Sequence, residues 1–309
     1  MTLSRDLLLR AARSDRLRES FPRLPFAERA VRRFMPGELA EDALDAAEEL
    51  KRDGLSTVLT QLGENVTEPE EADRVAEHYE SVLDRIEMRG LDAEISVKPT
   101  HLGLDLDADR TLENLERLAG RSRAMGRWLW IDMESSPYVD PTLDLYRDLR
   151  ARHTNVGVCL QAYLYRTADD LAALLPLGPG IRLVKGAYSE SEKVAYPRKR
   201  DVDESYVRLA NSLLEALESG DVRAAFGTHD LGLVARIRRR AEEEGVEARD
   251  LEFQMLYGIR PDHQRRLAAQ GCRTRVLISY GEAWFPWYMR RLAERPANVW
   301  FVVRSVLPW

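Results

Sequence analysis

The run "FPWYMRRLAER", residues 285 to 295, sets two adjacent arginines, Arg290 and Arg291, beside three aromatic side chains. A guanidinium presents a planar fork that matches a carboxylate at two points, so paired arginines on one helix suit the capture of an acid group. Trp284, Trp287 and Arg291 fall at i, i+3 and i+7 and share one helical stripe. The competing arrangement is an Arg290–Glu294 surface pair with the aromatics packed on a scaffold. A second run, "IRLVKGAY", places Arg182 and Val184 on one side of an extended segment and Leu183 and Lys185 on the other. If both faces of that segment are covered, the charge at Arg182 must be paired or must face a ligand. Gly186 then admits close approach of backbone or ligand. Lys98 and Asp132 form a third pair, either a cation for an acid group with a carboxylate to hold it, or a structural ion pair. "THD" gives His229 a hydroxyl neighbour, Thr228, and a carboxylate neighbour, Asp230.

These residues need elements that bring them together. From about residue 55 the chain repeats a short β-prone run, a loop and a longer helical stretch. The runs "STVLT", "EISVK", "RWLWIDM", "VGVCLQ", "IRLVK", "RAAFGT", "LEFQM" and "TRVLI" read as eight strands. Strands alternating with helices imply parallel pairing through right-handed crossovers. Eight such units suggest a closed α/β barrel of the (β/α)8 type over residues 55–309, preceded by a helical N-terminal arm over residues 1–54. An open doubly wound sheet is the competitor, but the chain has neither GxGxxG nor GxxxxGK[ST]. In a barrel, chemistry belongs at the C-terminal ends of the strands. Those ends carry Glu64, Lys98, Asp132 with Glu134, Gln161, Lys185, "THD", Gln254 and Tyr280 in turn, and two of the chain's five lysines fall among them. Of the other histidines, His78, His153 and His263 read as surface residues, while His101, close behind Lys98, is ambiguous.

The net charge of −6 argues against nucleic acid as a partner, since a phosphate backbone needs a basic face. Cys159 and Cys272 lack metal-ligand spacing and read as small buried hydrophobes, which fits a reducing cytoplasm. The basic N-terminus lacks the features of a signal peptide. The apolar tail "VWFVVRSVLPW" offers a peripheral membrane contact but is too short to span a bilayer.

"LGEN", "ISVKPTHLGL", "IDMESSPY", "LQAYLYRT", "RLVKGAY", "THD", "FQMLYGIR" and "MRRLAERPANV" run in order from about residue 55 to 300, and together they resemble the proline dehydrogenase family. The resemblance implies a distorted (β/α)8 barrel holding FAD at its strand ends. By the family pattern the cofactor touches Met133, Gln161, Arg182, Val184, Lys185, Gly186, Ala187, Thr228, His229, Gln254, Leu256 and Glu294. The same pattern gives Arg182 a place near the flavin N5 and Asp132 a role in organising the pocket floor. It implies that Lys98, Arg290 and Arg291 clasp the substrate carboxylate, with Glu64 pairing an arginine as a gate. The implied reaction passes a hydride from C5 of L-proline to the flavin, giving 1-pyrroline-5-carboxylate, and a quinone-type acceptor then takes the electrons.

Three positions depart from that pattern. Leu277 stands where the family places a tyrosine three residues before Tyr280-Gly281, Trp287 replaces a second tyrosine three residues before Arg290, and "LGE" follows "TVLTQ" rather than an acidic stretch. The acid grip is kept and the ring pocket altered, so a related cyclic or secondary amino acid, such as hydroxyproline or a biosynthetic intermediate, is an alternative substrate. Schiff-base chemistry at Lys98 or Lys185, and flavin binding without turnover, are rival readings of the site.

Overall fold

The computed structural model describes residues 31–218, 220 and 222–294, with side chains through residue 289. Eight parallel strands close into a barrel in sequence order: β1 (Ser56–Gln61), β2 (Ala93–Val97), β3 (Leu129–Ile131), β4 (Val156–Gln161), β5 (Gly180–Val184), β6 (Arg223–Gly227), β7 (Glu252–Leu256) and β8 (Arg273–Tyr280). The (β/α)8 architecture expected from the alternating pattern is therefore present, and β8 closes on β1 along Ser56–Gln61. Each anticipated run overlaps its strand, with ends shifted by up to two residues. The third is shorter than "RWLWIDM", because regular pairing stops at Ile131 and Asp132 keeps only a backbone bond to Val97 O, 2.8 Å.

The helices are α1 (Ala40–Arg52), α2 (Pro69–Met88), α3 (Ala108–Ala124), α4 (Val139–Arg152), α5 (Thr167–Leu174), α6 (Lys199–Glu218), α7 (Leu231–Glu243), α8 (Pro261–Ala269) and α9 (Trp284–Glu294). Helix α2 shows how the sequence specifies them. Proline opens it, Glu70 and Glu71 complement the dipole of its first turn, and Val75, Tyr79, Val82, Leu83 and Ile86 form one buried stripe. That stripe meets the outward residues of the strands, including Leu59, Ile95, Ile131, Val158, Leu183, Phe226, Phe253 and Ile278, in one continuous apolar shell.

The first and last helices depart from the simple alternation. Helix α1 precedes the first strand yet packs across β8 and β1, burying Ala43, Leu44 and Ala47. Helix α9 follows β8 but joins a separate cluster, where Trp284, Phe285, Trp287, Tyr288 and Met289 pack with Val31, Phe34, Met35 and Leu62. Leu62 is the first residue after β1, so this cluster stands at the mouth of the barrel. Residues 1–30 of the expected arm and the tail from residue 295 lie outside the described residues. Among those described, no helix is long and apolar enough to cross a membrane.

Candidate active site

Inward-pointing side chains fill the barrel in layers, and the lower layers are charged. Glu94 of β2 accepts from Arg223 Nη1 of β6 at 2.8 Å and from the Trp130 indole of β3 at 2.7 Å. Glu252 of β7 also meets Arg223, at 2.8 Å, while Arg275 of β8 lies 3.3 Å from Glu94 and 3.5 Å from Glu252. Burial works to raise the Glu252 pKa, but the two guanidinium groups outweigh it and hold the carboxylate below its ordinary value.

Trp130 separates this network from the reactive end. Arg223 stands 5.1 Å and Arg182 5.2 Å from its ring, so two cations flank one indole. Arg182 is 2% exposed and points inward, on the face opposite Leu183. It donates to Ser96 Oγ at 2.6 Å, to Gln254 Oε1 at 3.3 Å and to the Asp132 carboxylate, and Ser96 Oγ also donates to Asp132 at 3.0 Å. Burial disfavours the charge, yet the adjacent Asp132 carboxylate, with Cys159 and Glu94, more than compensates and keeps the Arg182 pKa above its usual value. Arg182 is thus a fixed, desolvated cation. The structural pair between Lys98 and Asp132 does not form, since Asp132 engages Arg182 and Ser96 instead.

Lys98, at the end of β2, is buried, and among the described residues no hydrogen bond meets its ammonium. It lines a cavity of about 690 Å³ together with Glu64, Gln61, His101, Tyr280 and Trp287. Glu64 accepts from Tyr188 Oη at 3.4 Å across the mouth. Pro286 and Trp287 of α9 contribute to the same wall, so this helix reaches over the opening and does not merely pack on the scaffold. Arg290, Arg291 and Glu294 are also on α9, but their side chains lie outside the described residues. Leu277 faces the interior, packed with Val58, Trp130 and Ala225.

The other rim residues gather along β3 to β7. Val184 pairs in register with Gln161 on one side and Gly227 on the other, and Gly227 pairs with Gln254. Gln161 donates to Met133 O at 3.3 Å, while its buried Oε1 has no hydrogen-bond partner. His229 Nε2 accepts the Leu256 backbone N–H at 2.7 Å, which places the ring proton on Nδ1 and ties β6 to β7. Thr228 Oγ1 accepts from Asp230 N at 3.2 Å. Gly186 adopts φ +109°, and a Cβ there would fall 2.3 Å from the Tyr163 ring, so glycine is required twice over; Ala187 follows it on the same rim. Lys185 donates to Asp203 at 2.5 Å and to Asp230 at 3.0 Å. With its hydrogens committed to two carboxylates, it is poorly placed as a Schiff-base nucleophile.

Two residues were undervalued by sequence reasoning. His78 is no surface residue: Nε2 lies 3.0 Å from Tyr280 Oη, the ring lines the cavity, and burial lowers its pKa. His153 and His263 are likewise half-buried. Glu134 is the other, with 3% of its surface exposed and both oxygens bonded to Thr100. Burial pushes its pKa up to about 7 despite those bonds and the nearby Lys98. Its signal was a second acid two residues after Asp132 at the same strand end. His101, ambiguous in sequence, is buried beside Lys98 and driven down to about 3, so it is neutral.

The family model for proline dehydrogenase matches residues 43–304. Proline dehydrogenase 1 of Bacillus subtilis (strain 168) is 40% identical over 277 residues, 90% of each chain. The chain belongs to the proline dehydrogenase family. A second family member, the proline dehydrogenase of Deinococcus radiodurans, is 38% identical over 280 residues, 89% of each chain. Proline utilization A from Bdellovibrio bacteriovorus, solved after inactivation by N-propargylglycine, superposes with a TM-score of 0.80 at 22% identity. That likeness covers 87% of this chain and 33% of the longer protein, and it supports the shared barrel fold.

Proposed function

We propose that this member of the proline dehydrogenase family oxidises L-proline to 1-pyrroline-5-carboxylate with FAD as its cofactor, and that a quinone-type acceptor takes the electrons on. The observation that carries the reading is the match over residues 43–304, which includes every strand end of the barrel. The rim fits a flavin: Gln161 Oε1 is buried without a partner at the end of β4. Gln161, Arg182, Val184, Gly186, Thr228 and Gln254 would hold the cofactor, with Met133, Lys185, Ala187, His229, Leu256 and Glu294 around them. When bound, FAD supplies the hydride acceptor, its N5 atom.

The chain's own residues supply position and charge. Arg182, locked by Asp132 and Ser96, sets a permanent positive charge where electron density accumulates. Lys98 offers its ammonium to the substrate carboxylate, and Arg290 and Arg291 add a two-point grip. Glu64 serves as a gate at the mouth. The substrate amine binds as the free base, so its lone pair can form the N=C5 bond without a strong base on the rim. In this reading residues 55–309 hold the whole site, residues 1–54 form an arm, and the enzyme is cytoplasmic, meeting its acceptor at the membrane surface.

Anaerobic titration of the purified flavoprotein tests this. L-Proline is expected to bleach the flavin absorption, and a protein that no amine substrate reduces would overturn the proposal. Trp287 on the cavity wall and Leu277 inside the barrel favour a second reading, a related cyclic or secondary amino acid. An analogue that reduces the flavin more efficiently than L-proline would establish it.

A further inference from the structure

Glu134 follows Asp132 by two residues and is not among the residues proposed to touch cofactor or substrate, yet it is one of the most buried acids of the rim. Its Oε2 accepts the Thr100 backbone N–H at 3.0 Å, and its Oε1 accepts the Thr100 hydroxyl at 2.6 Å. Thr100 is itself a junction. Its Oγ1 accepts from Asn65 N at 3.1 Å and its carbonyl from Val66 N at 3.3 Å. Glu134 follows β3, Thr100 follows β2, and Asn65 and Val66 follow β1. One carboxylate therefore ties three successive loops. A second joint lies beside it: the His101 ring packs so closely on Gly63 that a Cβ there would come 2.1 Å from Nε2. Glu64 falls between Gly63 and Asn65, and Lys98 precedes Thr100 by two residues, with Lys98 O further held by His101 N at 3.1 Å.

We infer that Glu134 is a positioning residue, which locks the loops after β1, β2 and β3 together and thereby fixes Lys98 and Glu64 for the substrate's acid group. The inference deepens the proline reading and rests on it. Glu134 does not reach the substrate. It acts through Thr100, whose backbone follows Lys98 by two residues, and through Asn65, which follows Glu64. Loss of the tie loosens the carboxylate grip, an interaction made equally in the ground state and the transition state, and so raises KM more than it lowers kcat. A glutamine at the position keeps the tie, because its amide oxygen accepts the Thr100 N–H and its NH2 donates to Thr100 Oγ1.

The test compares Glu134→Ala, Glu134→Gln and Gly63→Ala in the flavin-loaded enzyme. Tetrahydrofuran-2-carboxylate, which keeps proline's ring and acid but has no amine to oxidise, serves as the binding probe. In Glu134→Ala, the KM for L-proline and the Kd of the probe are expected to rise about ten-fold, with kcat within about three-fold. Glu134→Gln is expected to restore both constants. Gly63→Ala pushes the same two loops apart without touching Glu134, so it decides the matter if Glu134→Ala does not fold. Amide hydrogen exchange over residues 63–66 and 99–102 should quicken about ten-fold in Glu134→Ala while the strands remain protected. Unchanged exchange in those loops, or an unchanged probe Kd where exchange has quickened, would overturn the inference. If the wild type neither binds the probe nor is reduced by proline, the proline reading falls, and the exchange measurement alone upholds or overturns the tie.

Discussion

At the lower end of the barrel interior, Glu94 and Glu252 face Arg223 and Arg275, and the indole of Trp130 completes the set. At the upper end Arg182 faces a single carboxylate, Lys98 meets no hydrogen-bonding partner among the described residues, and Gln161 Oε1 and Ser279 Oγ are buried unbonded. Both ends place charge where a core would ordinarily be apolar. The lower end answers charge with charge inside the chain, two carboxylates facing two guanidinium groups. The upper end leaves groups unanswered, which costs stability unless a ligand meets them. A barrel of this kind separates folding from chemistry along its axis, and a single tryptophan marks the border.

That contrast can be broken from either side. Glu94→Ala leaves Glu252 as the one carboxylate bonded to Arg223 and the Trp130 indole without its acceptor, and should cost about 3–5 kcal/mol in urea unfolding. The enzyme that remains folded should keep its kcat/KM within about three-fold, as expected of distant sites. A large loss of turnover per folded molecule would show that the two ends are not independent. Arg182→Lys should do the reverse: it keeps a charge but loses the planar fork, and flavin reduction should slow on the order of 10²–10³-fold. Stopped-flow absorbance would measure it, and a near-wild-type rate would remove Arg182 from the proposed chemistry.

Glu134 sharpens the comparison, because it belongs to the upper end yet is fully bonded. Its folded pKa of about 7 lies above the ordinary 4.5, so the native chain holds this proton more tightly than the unfolded chain. The associated stability is fully present below pH 4.5 and is lost as pH rises through 7. Relative to Glu134→Gln, the wild type should lose about 3 kcal/mol across that window, read from denaturation at each pH. A flat difference would mean that the carboxylate is better solvated than its surroundings indicate. The smallest effect concerns the ring pocket. Leu277→Tyr combined with Trp287→Tyr should shift preference toward L-proline over its analogues by roughly 1 kcal/mol, about five-fold in relative kcat/KM. No shift would make these two positions neutral to substrate choice.

Much of the scaffold was legible because local rules and the fold agree. Short β-prone runs between helical stretches located the strands, and the alternation in "IRLVK" set Arg182 on one face with Val184, where its charge must be paired or face a ligand. The rim followed from the strand ends. What sequence could not supply were contacts between loops. Nothing local says that Glu134 reaches Thr100, 34 residues earlier, since parallel pairing of β2 and β3 creates that proximity. His78 was misjudged for the same reason: its helical spacing looks like a surface position, but Tyr280, 202 residues away, faces it. Lys98 and Asp132 sit on adjacent strands and look like natural partners, yet Arg182 reaches across the interior and takes Asp132 first.

The position of α1 across β8 and β1 has a further consequence. A helix from before the barrel walls the seam, so the helix that follows β8 has no wall to build and its aromatic residues can rest on the opening instead. The segment proposed to touch substrate is therefore topologically spare. Its sequence can be rewritten, as the tryptophan at position 287 exemplifies, without asking the eight strands to repack. Substrate preference in such an enzyme can drift on one short helix while the proposed cofactor rim stays as it was.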